Sequence, residues 1–186
     1  MPAEPKRKLD YSDILSTPND GKRYELVQGE LFVNPAPSMI HQRISRRLLR
    51  QLEDYFHRRS MGEVFYAPLD VILTPHDVFE PDLFVVADQS HVSKRGIEKP
   101  PLLVVEILSP STRKVDLGVK YRRYAELEIL HYWIVDPDRQ RVECHRLADG
   151  AFRPVAEAQG DTTLAHPDWD GLILDLEALW AQSPFS

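Results

Sequence analysis

Glu106 stands in the middle of LLVVEIL, residues 102–108. Alternation along a strand puts Leu102, Val104, Glu106 and Leu108 on one face and Leu103, Val105 and Ile107 on the other. Both faces are then apolar except at the acid. A strand turned to solvent would carry more polar residues, and a buried carboxylate is costly unless it is paired or binds a cation. A second acid, Asp82, opens the run PDLFVV at 81–86. Alone it reads as an ordinary turn residue after proline. Two carboxylates entering from neighbouring strands, however, can hold a Mg2+ or Mn2+ ion that keeps several waters and takes a phosphate oxygen. Lys120 lies in DLGVKYRRY at 116–124. On its own it is a solvated helix lysine, or the i,i+4 partner of Asp116. With Leu117, Tyr121 and Tyr124 as the packing stripe, Lys120 falls at the stripe's edge. There it can reach the end of the sheet that carries the acids and offset charge growing on a phosphate. Tyr124, one helical turn further on, can support it.

The elements that must position these groups are legible from periodicity and punctuation. YSDILST (11–17) predicts a short helix ending before Pro18. YELVQGELFVN (24–34) predicts a hairpin, with Gly29 free to take positive φ. Ser38 is a candidate N-cap for a helix over 38–58, in which Ile40, Ile44, Leu48, Leu52, Tyr55 and Phe56 form the apolar face. Arg43, Arg46, Arg47 and Arg50 fall on the opposite side. They are a candidate surface for a nucleic-acid backbone, although four arginines on a helix are more often simply solvated. Strands are expected over 64–73, 82–87 and 102–108, the last two covered on both faces. SPST at 109–112 caps a second helix over about 112–127, and HYWIVDP (131–137) is a further strand. RVECHRL and AFRPVAEA then pair around Ala148-Asp149-Gly150, and 174–180 closes as a helix. From residue 38 the order is α-β-β-β-α-β, which implies an α/β (α+β) fold: a mixed sheet flanked by helices, with an N-terminal hairpin and appended C-terminal strands. The 186 residues suit one domain, over 11–182, after a loose tail at 1–10.

A single cysteine, Cys144, rules out an internal disulfide and any multi-cysteine metal site, and fits a reducing, cytoplasmic setting. The start MPAEPKRKLD has charge without an apolar stretch, so no secretory signal is expected there. No apolar run approaches the ~18 residues of a membrane span. The formal charge of −6 argues mildly against nucleic-acid binding. That objection weakens if the basic residues cluster, because phosphates meet the local field. No glycine-rich phosphate loop and no GxSxG nucleophile motif is present, and Ser109 and Ser111 read as caps.

The segments YELVQGEL (24–31), PDLFVV (81–86), VVEILSPST (104–112), DLGVKYRRY (116–124) and YWIVDP (132–137), in this order, resemble the PD-(D/E)XK nuclease superfamily. Within it the chain is similar to a large bacterial restriction-endonuclease-like family of the Uma type. The resemblance spans about residues 11–180. It implies a restriction-endonuclease-like core and Mg2+-dependent (or Mn2+-dependent) hydrolysis of phosphodiester bonds. Asp82 matches the PD aspartate and Glu106 the (D/E) position, which makes both metal ligands. The superfamily's lysine usually lies two residues after the acid, where this chain has Leu108; Lys120, on the following helix, matches the family's relocated position. Glu25 and Glu30 match the family's hairpin acids, and His41 matches a polar helix position. The implied partner is nucleic acid, DNA first, with a homodimer expected because cutting both strands needs two sites. The alternative is a nuclease-fold protein without activity, serving as a nucleic-acid-binding or assembly module. A two-carboxylate glycosidase is a third option, disfavoured by the lack of an aromatic sugar platform and by the lysine.

Overall fold

The computed structural model describes residues 7–182. In chain order the elements begin with α1 (Tyr11–Ile14), β1 (Arg23–Val27), β2 (Glu30–Asn34), α2 (Met39–Phe56), β3 (Glu63–Tyr66), β4 (Val71–Thr74), β5 (Asp77–Phe79) and β6 (Leu83–Val86). There follow β7 (Leu103–Ile107), α3 (Arg113–Val115), a π-helical turn (Asp116–Lys120), α4 (Tyr121–Glu126), β8 (His131–Asp136), β9 (Arg141–Ala148), β10 (Ala151–Gln159), β11 (Thr163–Ala165), β12 (Ile173–Asp175) and α5 (Leu176–Trp180). The β-branched and leucine runs expected to be buried strands form the centre of a six-stranded sheet in the order β10-β9-β8-β7-β6-β3. The pair β7–β8 is parallel and every other pair in that sheet is antiparallel. The mixed sheet flanked by helices is the architecture expected from the sequence.

Both faces of the sheet are covered. On one face α2 lays Ile44, Leu48, Leu52 and Phe56 against Leu83, Val85, Leu103, Val105 and Trp133. On the other, Phe84, Val104, Tyr132 and Ile134 meet Tyr124 and Ala125 of α4 together with Val27, Val71 and Phe79. Those last three belong to a second, antiparallel sheet, β2-β1-β5-β4. Each fully enclosed side chain such as Leu48, Leu52 or Phe56 contributes on the order of 1.5–3 kcal/mol. Ile40, expected on the apolar face of α2, is 60% exposed, and the buried residue of the first turn is instead His41, which meets Asp82.

Several elements differ from expectation. The single strand expected over 64–73 is two, β3 and β4, separated at Ala67–Pro68 and assigned to different sheets. A proline cannot donate to a ladder, so the chain leaves one sheet there and joins the other. β5, three residues long, is too short to show a period. The helix over 112–127 is interrupted by the π turn, and this rotates the buried stripe: Asp116, Lys120 and Tyr124 point inward while Leu117 is 45% exposed. Of the helix expected over 174–180, residues 176–180 form α5, while 174 and 175 end β12, which pairs with β11. The tail expected over 1–10 lies mostly outside the described residues. Of its described part, the Leu9 N–H donates to the Gly29 carbonyl (3.0 Å) and Asp10 caps α1. On β10 the register shifts between Pro154 and Ala156 at the outer edge of the large sheet.

The β1–β2 turn takes Gln28 at φ 54° and Gly29 at φ 84°. A Cβ on Gly29 would also meet Lys8 Cβ at 2.7 Å. Gly150 has a similar φ of 75° with open space around it. Gly29→Ala is therefore expected to cost roughly 2 kcal/mol or more and Gly150→Ala only about 1, the backbone share alone. Urea unfolding of the two variants measures the difference; equal losses would mean that the close approach of Lys8 costs nothing.

Candidate active site

The register of β6 and β7 pairs Leu83 with Val105. The next rung therefore sets Asp82 opposite Glu106, on the face that looks toward α4 and the small sheet. Both acids are buried, 4% and 2% exposed. β1 brings Glu25 to the same region from the small sheet, and the π turn brings Asp116 and Lys120 from above.

Lys120 Nζ is the centre of the arrangement. It lies 2.8 Å from Glu106 Oε1, 2.9 Å from Glu25 Oε1 and 3.5 Å from Asp116 Oδ1. The Tyr124 hydroxyl donates to the same Glu106 oxygen at 2.8 Å, which leaves Glu106 Oε2 without a hydrogen-bond partner among the described residues. Glu25 is held in turn by the Asn34 amide (2.6 Å) and the Glu80 N–H (2.9 Å). Asp82 forms a second knot. Arg23 Nη1 reaches Oδ1 at 2.6 Å, while His41 Nε2 (3.0 Å) and the Ile107 N–H (2.8 Å) meet Oδ2.

The electrostatics follow from one ammonium serving three carboxylates. Burial opposes the charge on Lys120, but Glu106, Glu25 and Asp116 outweigh it and hold the amine well above its usual range. Burial pushes Glu106 up to about 8; the share of Lys120 that falls to it is offset by repulsion from Asp116, Asp82 and Glu25. Asp116 is raised for the same reason, burial first, only partly countered by Lys120 and a Thr112 hydrogen bond. Burial also lifts Glu80 to about 7, helped by Asp70 and Glu25, and its Oε2 is enclosed without a partner. At Asp82 burial is overcome by the His41 hydrogen bond, the Arg23 charge and the Ile107 N–H, so this acid stays ionised. The site is short of positive charge, and its donors are carboxylate oxygens, the ligand type preferred by small hard divalent cations. Asp82 and Glu106, with Glu25 beside them on Lys120, are the carboxylates of this site that could hold a Mg2+ or Mn2+ ion.

The site opens at Asp82 into a pocket of about 650 Å³. Lys22, Arg23, His41, Arg46, Tyr66 and Glu80 are among its walls. Of the four arginines on α2, Arg46 thus faces the pocket. Arg43 and Arg47 line a separate groove beside α5, where Arg47 Nη1 donates to the Leu179 and Ala181 carbonyls (3.0 and 2.7 Å). Arg50 is exposed on the outer face. Asp82, Glu106, Lys120, Tyr124, Glu25 and His41 are brought together; Glu30 is exposed at the start of β2, outside the cluster. Sequence reasoning missed Arg23, Glu80 and the inward turn of Asp116. Strand alternation places Arg23 on the same face as Glu25, which was an available signal; Glu80 is adjacent to Pro81-Asp82 but has no pattern of its own.

Comparison with known proteins bears on this geometry. A crystal structure from Anabaena variabilis, described as "a putative nuclease belonging to DUF820", superposes with a TM-score of 0.74 at 19% identity, covering 92% of this chain and 97% of that one. An uncharacterized protein of Synechocystis is 28% identical over 153 residues, 80% of each chain. The sequence model of the Uma2 family, described as "Putative restriction endonuclease", matches residues 10–177. With the match running through β1, β6, β7 and the π turn alike, the chain belongs to the Uma2 family of restriction-endonuclease-like proteins.

Proposed function

We propose that the protein is a metal-dependent endonuclease that hydrolyses phosphodiester bonds in nucleic acid, DNA first. The observation that carries this reading is the pairing of Asp82 opposite Glu106 beneath the Lys120 ammonium, with Asp82 lining a pocket walled by Arg23 and Arg46. When bound between Asp82 and Glu106, a divalent cation supplies an activated water and a counter-charge for the phosphate. Lys120 stabilises the negative charge that develops during attack. Tyr124, kept protonated by burial and by Glu106, holds that carboxylate in place as a donor. Arg46 and Lys22 sit where a phosphate backbone would enter, with Arg50 further along the helix. The free buried thiol of Cys144 suits action in the reducing cytoplasm. Among the described residues no helix is long and apolar enough to cross a membrane. Cleavage of both strands of a duplex calls for two copies of the site, hence a homodimer.

One observation favours a second reading, a nucleic-acid-binding or assembly module without activity: Arg23 already occupies Asp82 Oδ1, where a cation would bind. Plasmid nicking with Mg2+ or Mn2+ separates the two. Wild type is expected to nick, and Asp82→Asn or Glu106→Gln to lower the rate at least about 100-fold while keeping the wild-type circular dichroism. Equal nicking by wild type and Glu106→Gln rejects the catalytic assignment. DNA binding that is indifferent to Mg2+ in calorimetry, with no nicking, selects the module.

The site also predicts a pH dependence. The folded protein keeps a proton on Glu106 up to about pH 8, whereas the unfolded chain releases it near 4.5. Stability from this group is complete below the lower value and is lost as pH rises through the upper one. Glu80 acts in the same sense up to about 7. The buried histidines His131 and His166, lowered to about 4 chiefly by burial, work in the opposite sense only below about pH 6.5. Between pH 6.5 and 8 the melting temperature of the metal-free protein is therefore expected to fall. Glu106→Gln and saturating Mg2+ should each flatten the slope. A rising melting temperature over this window, insensitive to Mg2+, would contradict the charge shortage inferred above.

A further inference from the structure

On the opposite face of the large sheet, away from Glu106, two buried histidines and an aspartate converge. His131 is the first residue of β8, where strand alternation turns it with Trp133 and Val135 toward the α2 side. The β7–β8 register sets it beside Leu103, three residues along from the rung of Glu106, or roughly 10 Å. His166 follows β11, and Asp168 lies two residues further on in the 166–172 loop. One ring nitrogen of each histidine and one carboxylate oxygen lie within 4.8 Å of one another. His131 and His166 are 7% and 4% exposed. His131 Nδ1 is enclosed with no hydrogen-bond partner, 4.0 Å from Asp168 Oδ2. His166 Nδ1 accepts from the Asp168 N–H at 3.2 Å, so the neutral ring carries its proton on Nε2, which is enclosed and meets no acceptor. Buried polar groups in folded proteins normally find partners. Two orphaned imidazoles facing one carboxylate are what a missing ligand leaves behind.

We propose that His131, His166 and Asp168 form a binding site for a divalent transition metal of the Zn2+ type, distinct from the carboxylate site. Imidazole nitrogen is a ligand that Zn2+ favours and Mg2+ does not. Burial holds both rings neutral near pH 7, so neither carries a second proton that would block ligation, and His166 binds once Nδ1 gives up the Asp168 N–H. Arg146 pairs with Asp168 Oδ1 and leaves Oδ2 toward His131. His131 Nδ1 and Asp168 Oδ2 stand 4.0 Å apart, more than the roughly 3.3 Å between ligand atoms of a tetrahedral zinc site, so Asp168 would move slightly inward on binding. Asp168 keeps 21% of its side chain in solvent, which leaves room for a water as fourth ligand. The ion would tie the β11–β12 hairpin, and with it α5, to the start of a central strand.

Zinc titration of the full chain tests this, with Asp82→Asn/Glu106→Gln as background so that the carboxylate site does not contribute. That variant is expected to bind one equivalent of Zn2+ and to gain several degrees in melting temperature. Adding Asp168→Asn, a substitution at a part-exposed position, should weaken binding at least tenfold, and adding His131→Gln should abolish it. Co2+ in place of Zn2+ should give the intense visible absorption of a four-coordinate nitrogen site, absent from the histidine variant. The proposal is overturned if the background variant binds no zinc, or if neither Asp168→Asn nor His131→Gln changes the affinity. Because nuclease activity enters none of these readouts, they stand or fall apart from the proposed function.

Discussion

One buried ammonium holds the site together. Lys120 meets Glu106, Glu25 and Asp116, which come from the large sheet, the small sheet and the π turn. None of these carboxylates could be buried at tolerable cost without it, since removing one partner of a buried ion pair typically costs 3–5 kcal/mol. Yet one ammonium cannot balance three carboxylates, and burial favours the protonated form of Glu106 and Asp116. The arrangement is stable enough to fold and remains deficient in cation, and both properties come from the same atom.

The constraint extends to how the molecule is assembled. Asp82 and Glu106 face each other across β6 and β7, but Glu25 reaches them only when the small sheet docks, and Lys120 only when the helix following β7 takes its π turn. Docking is itself enforced by ion pairs that cross the seam: Arg23 of β1 to Asp82 (2.6 Å), and Arg123 of α4 to Asp77 of β5 (2.7 Å). Tyr132 donates to the Asp116 carbonyl (3.1 Å) and fixes the turn from below. The assembly of the candidate site and the closure of the two sheets are thus one event, and π turns such as the one that carries Lys120 are frequent at functional sites.

How much of this could be read in advance depended on whether a residue contradicted its surroundings. Glu106 did, as a charge in an apolar strand, and its face followed from alternation alone. Asp82 gained meaning only in company with it. An uninterrupted 3.6-residue period puts Lys120 at the edge of a stripe; the π turn has no sequence signature and moves the lysine to full burial. Arg23 and Glu80 meet partners more than fifty positions away in the chain, so alternation can set Arg23 on the face of Glu25 without naming Asp82 as its partner. The break at Ala67–Pro68 was present in the sequence, but its consequence, a change of sheet, depends on where β5 finds a partner. The presence and burial of the central strands are legible because runs of β-branched and leucine residues have few other uses; their order in the sheet is not.

The register shift at Pro154 has a consequence for how the molecule meets copies of itself. β10 is the outermost strand of the large sheet, and an outermost strand offers an open row of amides and carbonyls to any passing chain. Pro154 deletes one donor from that row, and the adjacent irregularity twists the remainder out of line. Arg153 and Glu157 add charge beside it. The β10 edge is thereby a poor template for a further strand, and an endless ladder of copies does not grow readily from this side of the sheet.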